Sequence, residues 1–248
     1  MKRKVQILVS LFLAAVLLSA CQRKEPSMRP MEMGDYWVRL DSAVADPYNR
    51  VVHYALTRRD GGEIAPDAHF GTMESMASGS SEYIPSPDGK TIWLEERMSR
   101  GRASEKTWVY TLTLGELTVG GEVLNESQSV RCEIPVTYQM TQLLEQKREF
   151  QLPQGQVCTL TRAEISPLGL HLEMEVPVMD IGEVNQQTPL SVVMDDGVVI
   201  DLEKHMSAGW SEGDKTCMAT CEVIFEKDFD LTKADRLVLC GIIIPIVK

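Results

Sequence analysis

Turn signals fall at short intervals along this chain, and they limit what can form between them. Pro87-Asp88-Gly89, Ser166-Pro167-Leu168-Gly169 and Asp195-Asp196-Gly197 each interrupt runs rich in Val, Ile, Leu, Thr and aromatic residues. Runs this short suit strands better than helices, and the residue types agree. Thr107 to Leu114 alternates Thr with apolar residues, and Leu170 to Val176 alternates apolar with polar ones, as half-buried strands do. Further strands are predicted at Tyr36 to Leu40, Arg50 to Thr57, Thr91 to Met98, Glu116 to Gly120 and Val130 to Tyr138. A second series is predicted at Gln156 to Ile165, Leu190 to Met194, Val198 to Leu202, Cys217 to Phe225 and Leu237 to Val247. Met73 to Asp88, rich in Ser, Gly and Pro, reads as a long loop. The fold class expected is all-β, as two antiparallel β-sandwich domains in tandem.

The N-terminus sets the compartment. Lys2, Arg3 and Lys4 precede an apolar run from Val5 to Leu18 that is broken only by polar Gln6 and Ser10. That run is short for a bilayer span, which takes about 20 apolar residues, and it suits the apolar region of a signal peptide. It ends in Leu18-Ser19-Ala20-Cys21, which resembles the bacterial lipobox. The resemblance implies cleavage before Cys21 and lipidation of its sulfur. Acyl chains then replace the lost segment as anchor, at about 0.8 kcal/mol per buried CH₂. The expected division is signal peptide 1–20, lipidated Cys21 and flexible tether 21–34, first sandwich 35–140, linker 141–154 and second sandwich 155–248.

Composition narrows the partners. The formal net charge is −11, and loss of three basic residues with the signal peptide takes it to −14. Nucleic acid, which needs clustered Lys and Arg, is not an expected partner. Beyond Cys21 there are five cysteines, Cys132, Cys158, Cys217, Cys221 and Cys240, an odd number that cannot all pair within one chain. Buried free thiols are the default reading; an interstrand disulfide of Cys158 with Cys221 or Cys217 is the alternative. Cys217 and Cys221, on a strand, lie about 13 Å apart, too far to share a metal ion. The four histidines, His53, His69, His171 and His205, show no ligand spacing, and no Gly-x-Ser-x-Gly or phosphate loop occurs. No catalytic residue, metal site or cofactor is therefore expected. Asp195-Asp196 reads as a turn before a calcium site, and Met28, Met31 and Met33 as tether composition. Trp37, Trp93 and Trp108 fall within predicted strands and are assigned to the core. Trp210, in the small-residue stretch Ser207 to Gly213, is the candidate ligand contact.

Val38-Arg39-Leu40-Asp41-Ser42-Ala43, Tyr54-Ala55-Leu56-Thr57 and Asp60-Gly61 resemble the extracytoplasmic region of anti-sigma-factor-like proteins of Gram-positive bacteria. So do Ile165-Ser166-Pro167-Leu168-Gly169-Leu170 and Val192-Val193-Met194-Asp195-Asp196-Gly197. The similarity spans residues 35–248, and it implies tandem immunoglobulin-like β-domains of unknown function. In those proteins the domains follow a cytoplasmic sigma-binding region and a spanning helix. This chain shows neither, so direct sigma-factor control is not expected. The expected function is a lipid-anchored binding or sensory module on the outer face of the cell membrane, non-enzymatic, meeting the membrane through its lipid and an envelope protein as partner. A passive envelope scaffold and an enzyme of unrecognised type are the alternatives.

Overall fold

A computed structural model describes residues 25–73, 78–99, 106–124, 128–178, 181–209, 215–226 and 229–246. The first strands are β1 (Ser27–Met28), β2 (Met31–Met33), β3 (Tyr36–Ala45), β4 (Asn49–Arg58), β5 (His69–Met73), β6 (Ser78–Pro85), β7 (Thr91–Ser99), β8 (Thr107–Val119), β9 (Glu122–Leu124) and β10 (Gln128–Pro135). They are followed by β11 (Thr141–Gln142), β12 (Arg148–Gln151), β13 (Val157–Ser166), β14 (Gly169–Pro177), helix α1 (Ile181–Gln187), β15 (Leu190–Met194), β16 (Val199–Asp201), β17 (His205–Gly209), β18 (Thr216–Ile224), β19 (Ala234–Leu239) and β20 (Ile242–Pro245).

These strands make four sheets, and the pairings between them are antiparallel. Sheet I runs β1-β10-β8-β5 with β9 on β8, and sheet II runs β2-β3-β4-β7-β6. Together they enclose one core, from Met31 and Val38 to Cys132 and Ile134. Sheet III runs β11-β13-β14-β18-β17 with β12 on β13, and sheet IV runs β16-β15-β19-β20. They enclose a second core, from Leu144 and Phe150 to Ile244 and Ile246. The chain is all-β and sandwich-like, as expected. Each large apolar side chain taken from water contributes about 1.5–3 kcal/mol, so each pair of sheets is held by the faces it hides. The hairpins close at the anticipated turns. Ser166 pairs with Gly169 across Pro167-Leu168, and Gly89 and Gly197 take positive φ angles of 67° and 86° where their turns require them.

Several boundaries move. The tether expected through residue 34 gives way at residue 27, where β1 joins β10. β2 then crosses to β3, with Met31 and Met33 buried in the first core. Apolar alternation in Met31-Glu32-Met33 was too short to read. The linker expected at 141–154 holds β11 and β12, both on β13, with Leu144, Phe150 and Leu152 in the second core. The loop expected from Met73 to Asp88 contains β6, an edge strand whose Ser and Gly content hid it. Glu116 to Gly120 is largely the continuation of β8 rather than a strand of its own. Leu237 to Val247 is a hairpin, β19 and β20, turning at Cys240-Gly241 with φ 46° and 83°.

The two pairs of sheets meet where glycine is required. A Cβ on Gly169, at the start of β14, would stand 2.1 Å from the Val223 carbonyl oxygen and 2.6 Å from Asn49 Nδ2. Gly169→Ala is expected to destabilise the chain by about 1–3 kcal/mol, the usual range for overpacking. Urea unfolding monitored by fluorescence checks this, and an unchanged midpoint would show that the contact is not close-packed.

Candidate functional site

Antiparallel sheets that bury one face usually leave a polar one outside. In sheet II the inward row of β4 is Val52, Tyr54 and Leu56, all at 0% exposure and all in the core. His53, Ala55 and Thr57 therefore point outward, and register carries the pattern across the sheet. Trp37 lies beside Thr57, and Arg39, Ala55, Trp93 and Ile84 form the next row. Trp37 and Trp93 are thus on the outer face, half-buried, while Trp108 alone of the three is in the core. The core assignment of Trp37 and Trp93 is corrected: strand membership does not say which face a residue takes, and a one-residue shift exchanges the faces. The Arg59 guanidinium sits 5.4 Å from the centre of the Trp37 ring and pairs with Glu32 at 3.3 Å.

The row below carries a fixed polar chain. A bulge between Leu40 and Ser42 brings Ser42 opposite His53. Ser42 Oγ is 2.9 Å from His53 Nδ1, and His53 Nε2 is 2.6 Å from Glu95 Oε2. Arg97 Nε donates to Glu95 Oε1 at 2.8 Å. Burial pushes the Glu95 carboxyl up, but His53 and Arg97 outweigh it and hold Glu95 below the usual range. The order resembles a nucleophile, base and acid, which the dispersed histidines had not suggested; here it lies in a flat ladder as a row of oriented donors and acceptors.

At the edge of the same sheet a groove of about 500 Å³ opens beside Trp37. Arg29, Glu32, Gln128, Ser129 and Val130 contribute to its lining. It exists because the chain leaves sheet I after β1 and enters sheet II at β2, so the connection at Arg29-Pro30 stands off the first half of β10. Gln128 Nε2 donates to the Glu32 carbonyl and ties the two walls together.

The other end of sheet II meets the second pair of sheets in a buried polar seam. Asp46, at 0% exposure, receives the amides of Tyr48 and Asn49 on Oδ1, each at 2.6 Å. Its Oδ2 accepts from Ser166 Oγ at the β13–β14 turn. Charge-assisted bonds of this kind offset the cost of burying the carboxylate. Tyr48 stacks on His171 with ring centres 3.7 Å apart, and its hydroxyl donates to Glu164 at 2.9 Å. Arg162 joins Glu164 and Glu173 at 3.0 and 3.3 Å. Glu222 accepts from Ser99 Oγ, and Arg97 Nη1 donates to the Phe225 carbonyl at 2.9 Å. Burial, reinforced by Asp46, pushes Glu222 up to about 7. Burial also lowers His171, against the pull of Glu173 and Glu164.

Of the residues singled out in the sequence, Cys21 and Trp210 lie outside the described residues. Cys158 and Cys221 are free. They sit on β13 and β18 with β14 between. Two strand spacings put their Cα atoms at least about 9.5 Å apart, beyond the reach of a disulfide. The disulfide alternative is therefore corrected, and the same strand separates Cys158 from Cys217. Among the described residues no group of three His, Cys, Asp or Glu is placed to hold a metal.

Two outcomes are expected. The Glu222 carboxyl has an ordinary value of 4.5 and is raised to about 7 by burial. Between those values the folded chain keeps a proton that the unfolded chain has released. The stability it contributes is complete below pH 4.5 and is lost as pH rises through about 7. Wild type is therefore expected to lose stability between pH 5 and 8 more steeply than Glu222→Gln; parallel pH profiles in urea unfolding would contradict the assignment. The thiols supply the second. Burial pushes Cys132 and Cys240 to about 11 and Cys221 to about 12, and raises Cys158. Alkylation by iodoacetamide at pH 8 is expected to be roughly tenfold or more slower in the folded chain than in urea. Peptide mass mapping reads this site by site, and equal rates would show exposed thiols.

No family model matches the chain, and no curated protein matches it. Among solved structures, the crystal structure of the conserved domain protein from Bacillus anthracis is similar at 12% identity, covering 86% of this chain and 76% of that one with a TM-score of 0.49.

Proposed function

We propose that this protein is a lipid-anchored module on the outer face of the cell membrane that binds a component of the envelope, and that it works by binding rather than by catalysis. The observation that carries the reading is the N-terminal pattern: basic residues, an apolar run too short to span, then Leu18-Ser19-Ala20-Cys21. Among the described residues no helix is long and apolar enough to cross a membrane. In this reading the acyl group on Cys21 is the anchor. The resemblance to the extracytoplasmic regions of Gram-positive anti-sigma-factor-like proteins suggests that the two pairs of sheets are tandem immunoglobulin-like domains. The binding part of the reading draws on the groove beside Trp37 and on the outward Trp93, since sheet faces rarely spend tryptophans on solvent.

A passive scaffold is the second reading, and the buried seam favours it. Asp46, Tyr48, Ser99 and Arg97 bond directly to residues of the second pair of sheets or to their backbone, which would hold the two as one stiff unit.

The experiment is metabolic labelling with an alkyne fatty acid, followed by membrane fractionation. Wild type is expected to carry label and sediment with membranes. Cys21→Ala is expected to lose both. Label on the alanine variant, or an unlabelled wild type released without detergent, would refute the anchor. Photo-crosslinking from the outer face of sheet II in intact cells separates binding module from scaffold, because only a binding face yields a saturable adduct.

A further inference from the structure

The outer face of sheet II combines features that point to one class of ligand. Trp37 and Trp93 share that face, two strands and two residues apart, which places their Cα atoms about 12 Å from each other. Both residues are half-buried, so part of each is open to solvent. Trp37 is further fixed by Arg59 at 5.4 Å, and the groove of about 500 Å³ opens at its side. That volume lies in the range of small-ligand sites. The next row offers the exposed Ser42 hydroxyl, held in place by His53, which Glu95 fixes in turn.

The charge on this face also selects. The exposed Arg39 and Arg59 are matched by the exposed Glu32 and Glu82, in a chain whose net charge is −11. A strongly charged ligand gains nothing from such a balance. A ligand with flat apolar C–H faces and many hydroxyls gains from both halves of it: aromatic rings to stack on, and paired donors and acceptors at the rim. An extended chain also matches the geometry, since the two rings and the groove lie along one track rather than around one pocket.

We propose that the outer face of sheet II, from the groove at Trp37 to Trp93, binds an uncharged, extended, β-linked polysaccharide, with sugar rings stacked on the two tryptophans. Hydroxyl groups between them meet Arg39 and Ser42. This names the ligand class for the binding reading above and rests on it; the lipid anchor is a separate matter.

The test uses the detergent-solubilised full chain. Chitohexaose and cellohexaose are titrated by calorimetry. Saturable binding to at least one of them is expected. Trp37→Ala and Trp93→Ala are each expected to weaken it at least about tenfold, the loss of one stacked ring. The corresponding Phe variants are expected to retain most of it, and they answer the question even where an alanine variant folds poorly. Val199→Ala, at an exposed position of sheet IV, is expected to bind like wild type. Two outcomes overturn the proposal: no saturable binding to either hexasaccharide, or binding that both alanine variants preserve. Crosslinking in cells that captures an envelope protein through this face, with no glycan bound in vitro, overturns the ligand class while leaving the binding-module reading standing. Failure of both removes the two together.

Discussion

Asp46 is the fixed point from which the relation of the two pairs of sheets follows. Its carboxylate is wholly buried and accepts from two amides of its own turn and from the Ser166 hydroxyl across the seam. Its carbonyl accepts from Trp108 Nε1 at 2.7 Å, which ties the turn to sheet I as well. The neighbouring Ala45 carbonyl accepts from the amides of Thr137 and Tyr138, where the chain leaves the first pair of sheets for the second. A buried carboxylate is tolerated only when its donors are all in place. Strands β3, β4, β8 and the β13–β14 turn are therefore constrained by one residue, through its carboxylate and its carbonyl, and the approach of Gly169 to Asn49 is possible because that turn is held there.

The first core carries charge of its own. Arg50 continues the inward row of β4 yet is only 1% exposed, and its guanidinium lies 5.2 Å and 4.1 Å from the rings of Trp108 and Tyr110. Arginine suits this place because it is planar, weakly hydrated and stacks on aromatic faces. Burial raises Glu96 on β7 to about 7, and Arg50 opposes that rise. The Tyr54 and Tyr110 hydroxyls lie 2.8 Å apart in the same region. The end of the first sandwich nearest the seam is thus polar inside, and the far end, around Leu56, Phe70 and Leu117, is apolar. Polar interior and polar seam adjoin, so a change of protonation at Glu96 or Glu222 acts where the two pairs of sheets meet.

Much of the fold was legible because its signals are local. The Thr alternation of β8, the Pro167-Leu168 turn and the Asp195-Asp196-Gly197 hairpin are each set by a few adjacent residues. What was missed is short or non-local. β2, β11 and β12 have too few residues for a period, and each is a strand only because a longer neighbour accepts it. The site was less legible still. Trp37 and Trp93 were found as aromatic strand residues and assigned to the wrong face. Ser42, His53 and Glu95 lie far apart in sequence, and the bulge at Leu40 that aligns the first two leaves no mark in composition. Ser166 and Gly169 were read as turn residues, which they are, without sign that the turn closes on Asp46.

The sequence by itself determined the strand-forming character of the chain and its turns, and it carries the lipobox-like resemblance at Cys21, because each depends on near neighbours. Only the tertiary structure decided which face each strand shows. Only it brought Asp46 to Ser166, Tyr48 to His171 and Ser42 to Glu95. The physical reason is register. Side chains alternate across a strand, so the outcome at every position turns on a one-residue choice of pairing, and that choice is made by partners distant in the chain.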